Sequence, residues 1–128
     1  GDGAEGHPRI LYLEDDAADV ELLRETLDAE KIVVAIEHVG TPQEFAVALQ
    51  RPSPALVLAD GNVAGFVTTA ALARVRQQWP AVPFYCLSGI VSDEKVAALH
   101  AGGATGCLSK LDLTAVSKVV RSTLKAGS

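Results

Sequence analysis

The sequence predicts an α/β domain built on a single parallel sheet. Three observations carry this. From Arg9 onward, short apolar runs alternate with longer segments of helical period. Most of the runs are apolar throughout, as strands covered on both faces by crossover helices must be, whereas a sheet with one wet face would alternate. The length of 128 residues, at 48% hydrophobic and 21% charged, is that of one domain, roughly 100–200 residues being usual. A chain of this size buries enough surface to fold without disulfide or zinc staples.

Taken in order, the expected strands are Ile10–Leu13, Ile32–Ile36, Leu56–Ala59, Val82–Leu87 and Gly106–Leu108. Between them, Val20, Leu23 and Leu27 line up on a first helix, Phe45, Ala48 and Leu49 on a second, and Leu72, Val75 and Trp79 on a third. Val96 with Leu99 serve a fourth, and Leu113, Val116 and Val120 a fifth. Thr41-Pro42-Gln43-Glu44 has the form of a capping box with proline at the first helical position. Gly102 and Gly103 end the fourth helix. Strict alternation of five strands and five helices gives a doubly wound sheet with helices on both faces, with a flavodoxin-like strand order 2-1-3-4-5. Residues 9–125 form this domain, 1–8 read as a flexible leader of artificial origin, and 126–128 as a tail. The absence of methionine suits a chain trimmed at its start or excised from a longer one.

Composition also excludes. Eleven basic against sixteen acidic residues give a formal charge of −5, with no basic run to follow a phosphate backbone, so nucleic acid is not an expected direct partner. No apolar run approaches a membrane span, and nothing in the leader has the pattern of a signal peptide. The two cysteines, Cys86 and Cys107, show no CxxC spacing, which points to a reducing, cytoplasmic setting and to thiols acting as small apolar residues.

In doubly wound sheets, ligands sit outside the carboxyl ends of the strands. There the first strand is followed by Glu14-Asp15-Asp16, the third by Asp60, the fourth by Ser88 and the fifth by Lys110. Gathered carboxylates repel one another unless a cation joins them. A hard divalent ion is implied, and oxygen ligands suit Mg²⁺, which keeps positions open for a phosphate oxygen. With Lys110 as a second cation and Ser88 as a hydroxyl donor, the set suits a phosphoryl group held on Asp60.

Those residues, in Ile10-Leu11-Tyr12-Leu13-Glu14-Asp15-Asp16, Leu56-Val57-Leu58-Ala59-Asp60, Leu87-Ser88-Gly89 and Leu108-Ser109-Lys110, make the chain resemble a receiver domain of a two-component response regulator from Arg9 to Leu124. The resemblance implies Asp60 as phosphoacceptor, Asp15 as direct metal ligand with Glu14 acting through water, and the backbone carbonyl of Asn62 as a further ligand. It also implies Ser88 and Lys110 as phosphoryl-binding groups, Mg²⁺ as cofactor, and a histidine kinase or phosphotransfer domain as donor, with other domains of the same parent chain as further partners. Such a domain catalyses only its own phosphorylation and dephosphorylation. The chain departs from the family pattern at Cys107, where an aromatic switch residue usually stands, at Leu111, where proline usually follows the lysine, and at Val63-Ala64-Gly65. These departures bear on output, not on phosphoryl chemistry.

Blander readings compete. Asp16 precedes the first helix and reads better as its cap than as a ligand. His7, His38 and His100 have no metal-triad spacing, and Gly102–Gly106 lacks the phosphate-loop spacing and precedes a strand, so it reads as a turn. At the level of function, the alternative is a receiver fold that binds partners without being phosphorylated, which has no need of so costly a charge cluster. A phosphatase acting on external substrates ranks last, since no second acid stands ready to protonate a leaving group.

Overall fold

The computed structural model describes residues 7–126, so most of the expected leader and the last two residues of the expected tail lie outside the described residues. Five strands, β1 (Arg9–Leu13), β2 (Ala35–Val39), β3 (Leu56–Asp60), β4 (Phe84–Ser88) and β5 (Gly106–Ser109), pair in parallel in the order β2-β1-β3-β4-β5. They alternate with α1 (Ala17–Ala29), α2 (Pro42–Ala48), α3 (Thr68–Gln78), α4 (Asp93–Ala101) and α5 (Leu113–Ala126). This is the doubly wound, flavodoxin-like architecture that the alternation of apolar runs predicts.

Strand periodicity divides the core in two. Ile10, Tyr12, Leu56, Leu58 and Leu87 face Val20, Leu23 and Leu27 of α1 and Val116 and Val120 of α5. Leu11, Leu13, Val57, Ala59, Phe84 and Cys86 face the other way, onto Phe45 of α2, Leu72 and Val75 of α3 and Leu99 of α4. Alternate residues therefore serve opposite faces, and both faces are dry.

Local chemistry sets the boundaries. Asp16 caps α1, its Oδ1 accepting from Ala18 N–H at 2.9 Å. Thr41 Oγ1 accepts from Glu44 N–H at 3.1 Å, and Glu44 Oε1 accepts from Gly40 N–H at 2.8 Å, so the expected capping box closes one residue further back than the standard form. At the end of α4, Ala104 N–H reaches Leu99 O and Gly103 N–H reaches His100 O, a Schellman closure that requires the left-handed φ of +99° found at Gly103.

Two strands differ from their expected places: β4 begins at Phe84, two residues after the expected Val82, and β2 is shifted further. Ile32–Ile36 is the more apolar stretch, but pairing runs from Ala35 to Val39. Lys31 adopts a φ of 59° and Ile32 N–H bonds back to Leu27 O, so the chain is still turning off α1 there. Ile32 is buried as part of that turn, not of the sheet. The edge strand itself carries Glu37 and His38, which an apolar-run criterion passes over.

The chain leaves β1 for β2 on one side and crosses to β3 on the other. The carboxyl ends of β1 and β3 thus flank the crevice where strand order reverses.

Candidate functional site

That crevice is a cleft of about 280 Å³ lined by Glu14, Asp15, Asp16, Asp19, Asp60, Asn62, Gly89 and Lys110. Glu14 follows β1 directly and its side chain is buried. Its rotamer is held from below by Tyr12, whose hydroxyl donates to Glu14 Oε1 at 3.4 Å, and from the loop by Asp16 N–H, which donates to Oε2 at 3.2 Å. Asp60 ends β3, also buried, and Asn62 N–H donates to its Oδ1 at 3.0 Å. The short turn after the strand thereby fixes the carboxylate of the strand's last residue.

Lys110 reaches in from the end of β5. Its ammonium is 2.9 Å from Glu14 Oε1 and 2.6 Å from Asp19 Oδ2, and it also bonds Asp60 Oδ2. Ligand atoms of Glu14, Asp19 and Asp60 all lie within 4.8 Å of one another. Asp19 is absent from the sequence-derived site. It stands in the first turn of α1, three residues after the Asp16 cap, so the helix that follows β1 returns a carboxylate over the crevice. A search confined to strand ends overlooks it, whereas counting acids in the first turn of the following helix finds it.

The sequence-derived residues fall into two groups. Glu14, Asp60 and Lys110 are in direct contact, and Asp15 and Asn62 line the same cleft, with Asp15 Oδ2 accepting from Ala64 N–H at 3.3 Å across the mouth. Ser88 is on the other flank. Its hydroxyl donates to Ile90 O at 2.6 Å and accepts from Lys95 Nζ at 3.2 Å.

Electrostatics follow from this crowding. Burial, together with the hydrogen bond shared with Asp60, pushes the Glu14 carboxyl up to about 7. Burial acts upward on Asp60 too, but its hydrogen bonds with Glu14 and Lys110 prevail and hold it below the ordinary carboxylate value. Burial alone would lower Lys110, yet Asp19, Asp60 and Glu14 raise it well above the usual lysine range. Within this acidic pair the environment favours the protonated form of Glu14 and the ionised form of Asp60. Five carboxyl groups against one ammonium leave the cleft with excess negative charge. Hard oxygen donors in that number fit a divalent cation such as Mg²⁺.

No protein-family model matches the chain. Its backbone is similar to the signal receiver domain of a DNA-binding response regulator from Colwellia psychrerythraea 34H, with a TM-score of 0.81 and 21% identity over 91% of this chain and 98% of that one. It is similar to a response regulator from Hahella chejuensis, with a TM-score of 0.84 and 22% identity over 91% of this chain and 95% of that one. The Mn²⁺-bound form of response regulator Rcp1 matches with a TM-score of 0.73 and 24% identity over 90% of each chain. In sequence, the hydrogenase transcriptional regulatory protein HoxA of Cupriavidus necator is 28% identical over 89 residues, which is 70% of this chain but 18% of HoxA. The chain thus has the fold of response-regulator receiver domains.

Proposed function

We propose that the chain is a phosphoacceptor receiver domain, taking a phosphoryl group onto Asp60 from a phosphohistidine of a histidine kinase or phosphotransfer domain. The observation that carries this reading is the ionised Asp60 carboxylate, held by Asn62 N–H and the Lys110 ammonium in an open cleft crowded with further acids. In the reaction a carboxylate oxygen of Asp60 attacks phosphorus, the P–N bond breaks, and its electron pair stays on the departing imidazole. In the reverse direction of signalling, water attacks phosphorus, the P–O bond breaks, and the Asp60 carboxylate, inorganic phosphate and a proton are released.

Asp15, Asp60 and the Asn62 carbonyl, with Glu14 through water, are the proposed ligands of Mg²⁺. Once bound, the ion neutralises phosphoryl oxygens and the acids around them. Lys110 already contacts Asp60 and needs little movement to reach a phosphoryl oxygen, while the Asp19 carboxylate holds that ammonium in place. Ser88 supplies a hydroxyl once it turns from Ile90 O. The domain is in this reading a signalling module, cytoplasmic, that acts on no substrate but its own phosphoryl group, with a kinase and further domains of its parent chain as partners. Among the described residues, no helix is long and apolar enough to cross a membrane.

Incubation with acetyl phosphate and Mg²⁺ followed by intact mass spectrometry tests this. The parent protein is expected to gain one phosphoryl group and Asp60→Asn none. A parent mass that stays unchanged while a control receiver reacts would overturn it.

A further inference from the structure

The two flanks of the crevice differ in their counter-charges, and the difference singles out Lys95. On the Asp60 side, the ammonium of Lys110 is surrounded by carboxylates. On the Ser88 side, the half-buried ammonium of Lys95 donates to the Ser88 hydroxyl at 3.2 Å, and among the described residues no carboxylate is within ion-pair distance of it. The same ammonium lies against the backbone that follows the phosphoacceptor strand, for a Cβ on Gly61 would sit 3.2 Å from Lys95 Nζ and 3.3 Å from Cys86 Sγ. A side chain at position 61 would press on that ammonium, which the glycine leaves in place.

Its location on α4 is unfavourable for a cation. Ser92 caps the helix, which makes Lys95 the third helical residue, near the positive end of the dipole. Helical side chains lean toward the N-terminus, so from this position Lys95 reaches back over the β4–α4 loop to Ser88, seven residues earlier. Cys86 and Cys107 face each other in register on β4 and β5, and both are small, so no bulky side chain from those positions stands beside Ser88 and Lys95. A cation placed against a helix dipole, without a carboxylate partner, beside the residue that would meet a phosphoryl group is complementary to an anion that arrives.

Resting on the receiver reading above, we propose that Lys95 couples Asp60 to α4 as a second phosphoryl-sensing cation that takes over the role left vacant by Cys107. When phosphoryl oxygens appear on Asp60, the Ser88 hydroxyl leaves Ile90 O to donate to them. The Lys95 ammonium follows to the same anion and draws the first turn of α4 and residues 89–92 toward the site. Lys95 is a positioning residue for the signalling state, and α4 moves because its third residue is tethered to the charge.

The test compares ¹⁵N amide shifts on adding beryllofluoride and Mg²⁺ to the full chain, with intact mass after acetyl phosphate as a parallel readout. The parent protein is expected to gain a phosphoryl group and to show large shifts over Ser88–Val96. At saturating beryllofluoride, Lys95→Met and Lys95→Gln are expected to lose more than half of the α4 response, and Lys95→Arg to restore it. An unchanged α4 response in the Met and Gln variants overturns the role of Lys95 while leaving phosphorylation at Asp60 standing. A loss that Arg does not restore also overturns it, by assigning the effect to the aliphatic stem. Failure of the parent to gain a phosphoryl group overturns the receiver reading and this coupling together.

Discussion

At the scale of single residues, the crevice is governed by which acid holds the proton. Glu14 ordinarily titrates near 4.5 and in the fold near 7, so the folded state binds its proton more tightly than the unfolded chain does. Stability contributed by that proton is complete below about 4.5 and is lost as pH rises through about 7. Asp60 has the opposite sign, its contribution being present above 3.8 and lost as pH falls below that value. The metal-free protein is therefore expected to melt at a lower temperature at pH 7.5 than at pH 5.5, and Mg²⁺ at pH 7.5 to recover the difference. Differential scanning calorimetry of the parent and Glu14→Gln checks this, since the variant should lose the decline between the two pH values. If the parent's melting temperature rises across that interval without metal, the proton is not on Glu14. Cys107 gives a second expectation at this scale. A thiol is too small to report on Ser88 as a buried ring would, so Cys107→Tyr should leave phosphoryl uptake intact and enlarge the beryllofluoride response of β5 and α5 amides, measured against the parent. An identical response in both proteins would count against this view of position 107.

At the scale of elements, punctuation matters as much as apolar content. Gly103 closes α4 with a φ of +99°, and a Cβ there would sit 3.1 Å from Arg76 Nε. Gly103→Ala is expected to destabilise the fold by about 1 kcal/mol or somewhat more, read as a lower urea midpoint at unchanged slope. Leu58, fully buried in β3 between the sheet and α1 and α5, is expected to lose about 2–5 kcal/mol on truncation to alanine. The strands β1, β3 and β4 were legible because burial on both faces leaves the stretches Ile10–Leu13, Leu56–Ala59 and Phe84–Leu87 free of charged residues. Strand β2 was legible only in outline. It is an edge strand with one neighbour, so Glu37 and His38 are tolerated within it, and the apolar Ile32 before it serves the α1 turn. At the candidate site, residues that end strands were singled out by position, Asp60, Ser88 and the Glu14–Asp15 pair among them. Tyr12, Asp19 and Lys95 were not, because a tyrosine inside a strand, an acid in a helix's first turn and a lysine on α4 each have a commonplace reading until tertiary structure shows what they touch.

At the scale of the whole molecule, the topology turns residue parity into a division of labour. Tyr12, Leu58 and Asp60 share the face of the sheet that carries α1 and α5, and Asp19 and Lys110 join them there. Cys86 packs on the opposite face, against Leu99 of α4, with Cys107 beside it, and Ser88 shares its parity, with Lys95 reaching it from α4. In the proposed reading, chemistry on one face and response on the other meet at the carboxyl edge, where Gly61, directly after β3, lies against Lys95. A phosphoryl group on Asp60 would, in that reading, act on α4 through Ser88 and Lys95, while β3, at the centre of the sheet, is buried along its whole length. The most direct test of the central claim is to treat the protein with acetyl phosphate and Mg²⁺, reduce the product with borohydride, and map the peptides by mass spectrometry. An aspartyl phosphate is converted to homoserine, so the expected result is homoserine at position 60 alone, dependent on Mg²⁺ and abolished by EDTA. Aspartate unchanged at position 60, or the label at another carboxylate or independent of divalent metal, would contradict it.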